Sequence, residues 1–411
     1  MIKQVVIFIG LAVLNYCALG QSMGHNISFF DEEVNQRVEV EGFGSYGSNV
    51  MDVETMKLFY QGGYFDEDLK AESIHRLTTK NLLGGEYGAH VTYLNPNVKW
   101  LDSAGVYLTY EIGGGGGVAF TQDLFKLVFV GNHDYVGDSA FLSGTEFTSY
   151  AYKKVGFGYN RGNKFKLGLS LLSFDNYSFG QINRGIYYSD AGSDSLSLML
   201  SGDWMRGTKQ QLNAPAGYGL GLDFEMNLPY EDTDSMNLPR LVVGVKNFGV
   251  FMSAKQMDVV EVDTLYNYSG VEMNSLAAFG EDLFSASSLQ DSLLPDPVQQ
   301  RKFRLLPFEF YFYSTSNPNG KKMQLIYGMR YRFGVSMIPQ IYLGGDWRPT
   351  PTTIITPYMQ FGGYSYFKTG VSIRKRIGNL GVGLNFSNVP GFITREAYQQ
   401  SAAISLSYGI K

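Results

Sequence analysis

Residues Gly217 to Leu228 alternate without a break for 12 residues. Tyr218, Leu220, Leu222, Phe224, Met226 and Leu228 share one face, while Gly217, Gly219, Gly221, Asp223, Glu225 and Asn227 share the other. Successive side chains of a strand point to opposite faces, so this segment reads as one strand with an apolar and a polar side. Strands of soluble proteins average about 5–6 residues, whereas a tilted strand needs about 9–11 to cross a bilayer. The length of this alternation therefore favours a membrane barrel over a sandwich or propeller.

The pattern recurs along the chain. Leu380, Val382, Leu384 and Phe386 alternate with Gly381, Gly383, Asn385 and Ser387, and Ala402, Ile404, Leu406, Tyr408 and Ile410 alternate with smaller or polar residues. Further strands are expected around 106–112, 165–171, 240–246, 323–333 and 367–374, and weaker ones at 36–47, 84–94, 146–160, 195–204, 303–314, 338–347 and 354–363. Turn chemistry such as Asn95-Pro96-Asn97 and Asn317-Pro318-Asn319-Gly320 separates them. The expected fold is an all-β, transmembrane antiparallel barrel of about 14 strands (12–16), an even number being usual for one chain. The aromatics, 29 Tyr and 29 Phe, suit the girdles of such a barrel.

Met1 to Gly20 has the outline of a signal peptide: Lys3, an apolar run from Val5 to Leu14, and the small-x-small Ala18-Leu19-Gly20. The mature domain is then 21–411. Cys17 is the single cysteine, so cleavage after Gly20 leaves no disulfide or thiolate chemistry. Losing Lys3 leaves 32 basic against 38 acidic residues, a net of −6 that argues against a nucleic-acid partner.

Three stretches depart from the strand pattern. Helical inserts are expected near 51–81 (in two pieces, with Asp66 as a cap), 120–132 and 274–294. Inside a barrel they would plug the lumen; on its loops they would decorate it. The five glycines Gly113 to Gly117 read as a flexible turn beside closely packed backbone, since no Lys-Ser/Thr follows to make a phosphate loop. The acidic loop Glu231, Asp232, Asp234 lacks calcium-loop spacing.

The face opposite the aromatics should line the lumen. It offers Glu86, His90, Glu111, Asp223, Glu225, Lys246, Glu309, Arg330, Arg332, Lys368 and Arg374 as lining or ligand-contacting residues. Charges of both signs are expected to pair with one another, giving a polar filling or a selectivity ring. No His-x-x-x-His pair occurs among His25, His75, His90 and His133, so neither metal nor catalysis is indicated. No cofactor is expected.

Several short motifs carry a resemblance. Phe59-Tyr60-Gln61-Gly62-Gly63-Tyr64-Phe65-Asp66 leads into a helix, and Asn81-Leu82-Leu83-Gly84-Gly85-Glu86 opens a strand. Gly219-Leu220-Gly221-Leu222-Asp223-Phe224, Val245-Lys246-Asn247-Phe248-Gly249 and Gly362-Gly363-Tyr364 follow. The chain resembles a family of Bacteroidota outer-membrane barrels of unknown function. In layout it is similar to fatty-acid-transporter barrels and to the barrel partner of type IX secretion. The strand pattern together with the signal peptide implies an outer-membrane location among lipid, and the lack of a His-based catalytic constellation, with His90 the one strand candidate, implies a non-enzymatic role. One expectation is transport or binding of a small, hydrophobic molecule. The other is a structural barrel that anchors secretion or surface machinery, with protein partners docked on a non-barrel insert at 255–302.

Overall fold

The computed structural model describes residues 36–61, 64–98, 101, 104–161, 164–192, 195–208, 215–228, 240–254, 257–268, 295–316, 322–388 and 397–410. The expected signal peptide, the helix at 274–294 and the acidic loop at 231–234 lie outside these residues.

Fourteen antiparallel strands close into one ring. In chain order they are β1 (Gln36–Ser48), β2 (Asn81–Asn95), β3 (Gly105–Phe120), β4 (Ser139–Phe141 with Glu146–Arg161) and β5 (Phe165–Ser189). Then come β6 (Leu196–Thr208 with Gly217–Leu228), β7 (Arg240–Ser253 with Met257–Tyr268) and β8 (Val298–Gln300, Phe303–Leu305 and Glu309–Thr315). The ring continues with β9 (Met323–Arg332), β10 (Ile338–Thr350), β11 (Thr353–Gly363), β12 (Phe367–Ile377), β13 (Leu380–Ser387) and β14 (Gln399–Ile410). β1 pairs with β14 from Gln36↔Ile410 to Gly47↔Gln399, which closes the barrel and puts both ends of the ring at one mouth, the terminal end.

The apolar faces read from the sequence point outward. Leu108, Phe157, Leu169, Leu222 and Phe248 form one cross-strand row over five neighbouring strands, and all are exposed. Buried polar residues fill the opposite face. This inversion of the usual soluble pattern is what a bilayer imposes, because lipid replaces water around the outer side chains. On β4 and β5 the apolar belt ends at an outward ion pair, Lys153 to Asp175 at 3.2 Å.

Beyond that level three strands keep rising. β5 is 25 residues long. Its first part pairs with Gly217–Met226, and its second part with Leu196–Thr208. β7 behaves likewise, with Asp258–Tyr268 pairing against Leu196–Arg206. The expected non-barrel insert at 255–302 is thus corrected in part. Residues 257–268 and 298–300 extend the barrel wall, because buried Val260 and Val262 alternate with exposed Glu261 and Asp263 and so continue the strand.

Two short helices follow β1, α1 (Val53–Gln61) and α2 (Glu67–His75), and α3 (Gln122–Phe129) follows β3. Asp66 caps α2 by accepting from the Leu69 amide at 2.9 Å, and Thr121 caps α3 through the Leu124 amide. Asp66→Ala should cost about 1 kcal/mol of local stability, read as faster amide exchange across 67–75. The helices do not plug the lumen. β1, β2 and β3 pair without register shifts, so Tyr46, Leu83, Val118 and Phe120 share the outward parity of Val40, Val91 and Ile112. Those outward residues form one apolar cluster with Met51, Val53 and Met56 of the α1 region and Leu124, Phe125 and Val128 of α3. The helices therefore brace the outside of the wall at the loop end. Their apolar spacing announced a buried face but not the side of the sheet that buries it. Asp123 ties α3 to the next segment, accepting from the Tyr135 hydroxyl and the Phe141 amide. Burial and that carboxylate push the Tyr135 phenol above its ordinary range.

Gly113 to Gly117 are not a turn. They lie inside β3, paired on both sides. Inward and outward tyrosines crowd this strip: a Cβ on Gly114 would come within 2.7 Å of the Tyr87 hydroxyl, and one on Gly117 within 2.8 Å of the Tyr364 ring. Glycine is needed there for close approach, the half of the sequence reading that holds.

Candidate functional site

A paired charge layer crosses the lumen at mid-height. Register explains its assembly. Glu41, His90, Glu111 and Lys154 occupy one cross-strand row on the inner faces of β1 to β4. Glu309 lies between Lys246 and Arg332 in the next part of the ring. Two-residue periodicity then stacks Glu86 above His90, and Arg332 above Arg330, on the same faces.

Glu86 of β2 and Arg330 and Arg332 of β9 meet in the middle. Arg330 Nη2 donates to both Glu86 oxygens at 2.6 and 2.7 Å, and Arg332 also pairs with Glu86. Both arginines reach Glu309 as well, at 2.7 and 2.8 Å. β2 and β9 are opposite each other in a ring of fourteen. Ring diameter grows with strand number, so two side chains can touch only where opposing walls approach. The ion pairs form struts across the lumen.

A second group sits beside them. Lys246 Nζ is 3.1 Å from Glu111, which also accepts from the Tyr152 hydroxyl at 2.6 Å. Lys154 donates to Asp223 and to Asn247 Oδ1, both at 2.6 Å. Asn247 adopts a positive φ of 62° at a β-bulge, a conformation asparagine tolerates better than most residues, and its amide binds Asp223 at 2.7 Å. Glu225 accepts from Tyr311 at 3.0 Å and pairs with Lys166 at 2.9 Å. The five acids Glu86, Glu111, Asp223, Glu225 and Glu309 thus face five cations, Lys154, Lys166, Lys246, Arg330 and Arg332. Desolvated charges persist only when matched in this way.

Of the residues chosen from the sequence, Glu86, His90, Glu111, Asp223, Glu225, Lys246, Glu309, Arg330 and Arg332 come together in this layer or in the pocket below it. That pocket, about 190 Å³, faces the terminal end. His90 lines it, and its Nδ1 has no hydrogen-bond partner among the described residues. Lys368 is 3% exposed and within electrostatic range of Glu86 and Arg330. Arg374 is the exception. It holds Asp346 at 3.0 and 3.1 Å in a separate group with Thr356, because it lies six residues beyond Lys368 along β12, toward the terminal end. Lys154, Asn247, Tyr150 and Tyr152 were not singled out. In Lys153-Lys154 the doubled lysine hides which one faces in. Counting alternation back from Tyr159 and Phe157 assigns Lys153 to the outer face and Lys154 to the lumen.

Above the charges the lumen turns apolar. Leu172, Phe174, Tyr177, Met205, Phe251 and Leu306 are buried in one cluster. Phe251 stacks on Tyr177 at 4.5 Å and meets Phe174 edge-on at 5.1 Å. Two loop-end turns fold inward onto this cluster, one carrying Val335 and Met337, the other Tyr364. The Tyr364 ring lies against Gly47, Gly84 and Gly117, which form one cross-strand row on β1, β2 and β3, and its hydroxyl donates to the Gly116 carbonyl at 3.0 Å. A Cβ at Gly84 would lie 2.2 Å from the ring. Gly84→Ala is therefore expected to destabilise by about 1–3 kcal/mol, and Tyr364→Ala in the same chain to relieve part of that loss; urea titration of the single and double variants measures the coupling. A cleft of about 490 Å³ lies above, lined in part by Asp203, Glu261, Asp263, Lys302 and Arg304.

No family model matches the chain, and no curated protein matches its sequence. Among solved structures it is similar to the Ralstonia pickettii toluene transporter TbuX, at 10% identity over 92% of this chain and 90% of that chain, with a TM-score of 0.41. The P. putida toluene transporter TodX is 9% identical over 93% and 91%, with a TM-score of 0.39. The translocator domain of autotransporter NalP from Neisseria meningitidis is 9% identical over 99% and 95%, with a TM-score of 0.32. At these identities no residue of one chain can be matched to a residue of another.

Proposed function

We propose that this barrel sits in an outer membrane and binds and passes a small, hydrophobic molecule, with the lumen closed at rest. The observation that supports this is the inner face at the loop end. A barrel carrying hydrated solutes keeps a polar, water-filled interior. Here Phe174, Tyr177, Phe251, Met205 and Leu306 turn inward instead. An apolar permeant gains from such contacts, roughly in proportion to the area it removes from water. The paired charges beneath oppose the passage of ions, since Glu86, Glu111, Asp223, Glu225 and Glu309 each have a cation. The role is passage or binding and not catalysis, and lipid is the surrounding partner.

The test is reconstitution. Proteoliposomes should take up an apolar fluorescent dye such as N-phenylnaphthylamine while showing no steady ionic conductance. Open-pore conductance, or an absence of both dye binding and dye uptake, would overturn the proposal. A second reading draws on the wall of β5, β6 and β7 that rises past the apolar belt: a platform that anchors secretion or surface machinery. Purification from the native membrane with stoichiometric protein partners, and no bound small molecule, would favour it.

A further inference from the structure

We propose that the turn between β11 and β12, residues 362–366, is the gate of this lumen, and that Gly362 and Gly363 are its hinge. From that turn, Tyr364 reaches past β12, β13 and β14 to the glycine row on β1, β2 and β3. There it is 4% exposed. The inward fold of the turn requires positive φ at two successive residues, 89° at Gly362 and 87° at Gly363. Side chains rarely adopt this conformation, and a Cβ at Gly362 would fall 1.9 Å from the Pro339 carbonyl. A pair of residues without Cβ atoms is also the part of a hairpin that can change φ and ψ most freely.

The far contact is built to release. The row Gly47, Gly84 and Gly117 offers flat backbone and no interlocking side chain. Among the described residues one hydrogen bond, Tyr364 to the Gly116 carbonyl, joins the tyrosine to that wall, beside its packing in the apolar cluster. Nearer the hinge the turn is tied by the Gly362 amide to the Tyr366 carbonyl at 3.0 Å and by Ser365 to Gln399. Charge struts span the lumen below, and among the described residues turn tips cover its apolar layer at the loop end. Swinging Tyr364 off the glycine row uncovers that layer at the cost of the last β10–β11 pair, Ile338 with Gly363, and leaves the Phe361–Phe367 pair in place.

The single cysteine, Cys17, lies in the expected signal segment and outside the barrel strands, so a lock can be introduced cleanly. A Cβ on Gly47 lies 3.1 Å from Tyr364 Cβ, near the roughly 3.5–4.5 Å of a disulfide. In proteoliposomes, Gly47→Cys/Tyr364→Cys should lose dye uptake by about tenfold when oxidised and regain it on reduction, and Tyr364→Ala should exceed wild type. Equal uptake in locked and reduced protein overturns the gate while leaving the proposed passage of apolar molecules intact. The uptake arm rests on that passage, so a second readout needs no ligand. Ala119→Cys lies on the inner face one step above Gly117 and is fully buried. A soluble maleimide should label it slowly in otherwise wild-type protein and about tenfold faster with Tyr364→Ala. Identical labelling rates overturn the gate even if no dye is ever transported.

Discussion

Glu86→Ala should cost about 3–5 kcal/mol of stability, the largest loss among the substitutions considered, because it strands two buried guanidinium groups. Arg330 and Arg332 are 11% and 17% exposed, and Glu86 joins both to the opposite wall, where Arg332 also donates to the Tyr150 hydroxyl at 3.2 Å. Glu309 remains, but one carboxylate cannot balance two arginines. Unfolding by urea in detergent or lipid measures the loss. Glu86→Gln should fall between wild type and Glu86→Ala, since it keeps an acceptor and drops the charge. The triple change of Glu86, Arg330 and Arg332 to apolar residues of similar size should cost far less than Glu86→Ala. Buried charges penalise the fold most when only one side of a pair is removed. An unchanged midpoint for Glu86→Ala would mean that the struts bear no load.

Leu169→Arg should destabilise by about 2–4 kcal/mol in a bilayer, the cost of a charge on the lipid face near mid-depth. Leu169 is 61% exposed, flanked in register by Phe157 and Leu222. A residue this exposed on a water-soluble protein would tolerate arginine within about 0.5 kcal/mol. The single substitution therefore separates the two environments. Folding into vesicles, followed by denaturant titration, reads the difference. A near-neutral result would remove the membrane from the interpretation of this outer face.

Strand faces were legible in the sequence because period two is local. Tyr218 to Leu228 needed no knowledge of neighbours, and the outward row through Leu169 and Leu222 follows from it. The lumenal residues were legible for the same reason: whatever lies opposite an outward leucine lies inward. Their pairing was not. Whether Glu86 meets Arg330 or a nearer cation depends on ring closure, which no single strand encodes. Arg374 was grouped with the others on parity alone, though its strand faces Asp346. The glycine run misled because five glycines in a row suggest a turn until the tyrosines that occupy their missing side-chain space are placed. Gly362-Gly363-Tyr364 stood out as a motif, but its contact with the far wall depends on tertiary structure.

The pairing of β1 with β14 has a kinetic meaning. Gln36 and Ile410 are register partners. Almost the whole chain must therefore be available before the ring can close. Such distant contacts are slow to form, since loop-closure entropy is lost before they return any stability. Until then, β1 and β14 both expose bare edges that can recruit strands from other molecules. A chain of this design depends on being held apart from its own copies during insertion, and its yield in refolding should fall as protein concentration rises.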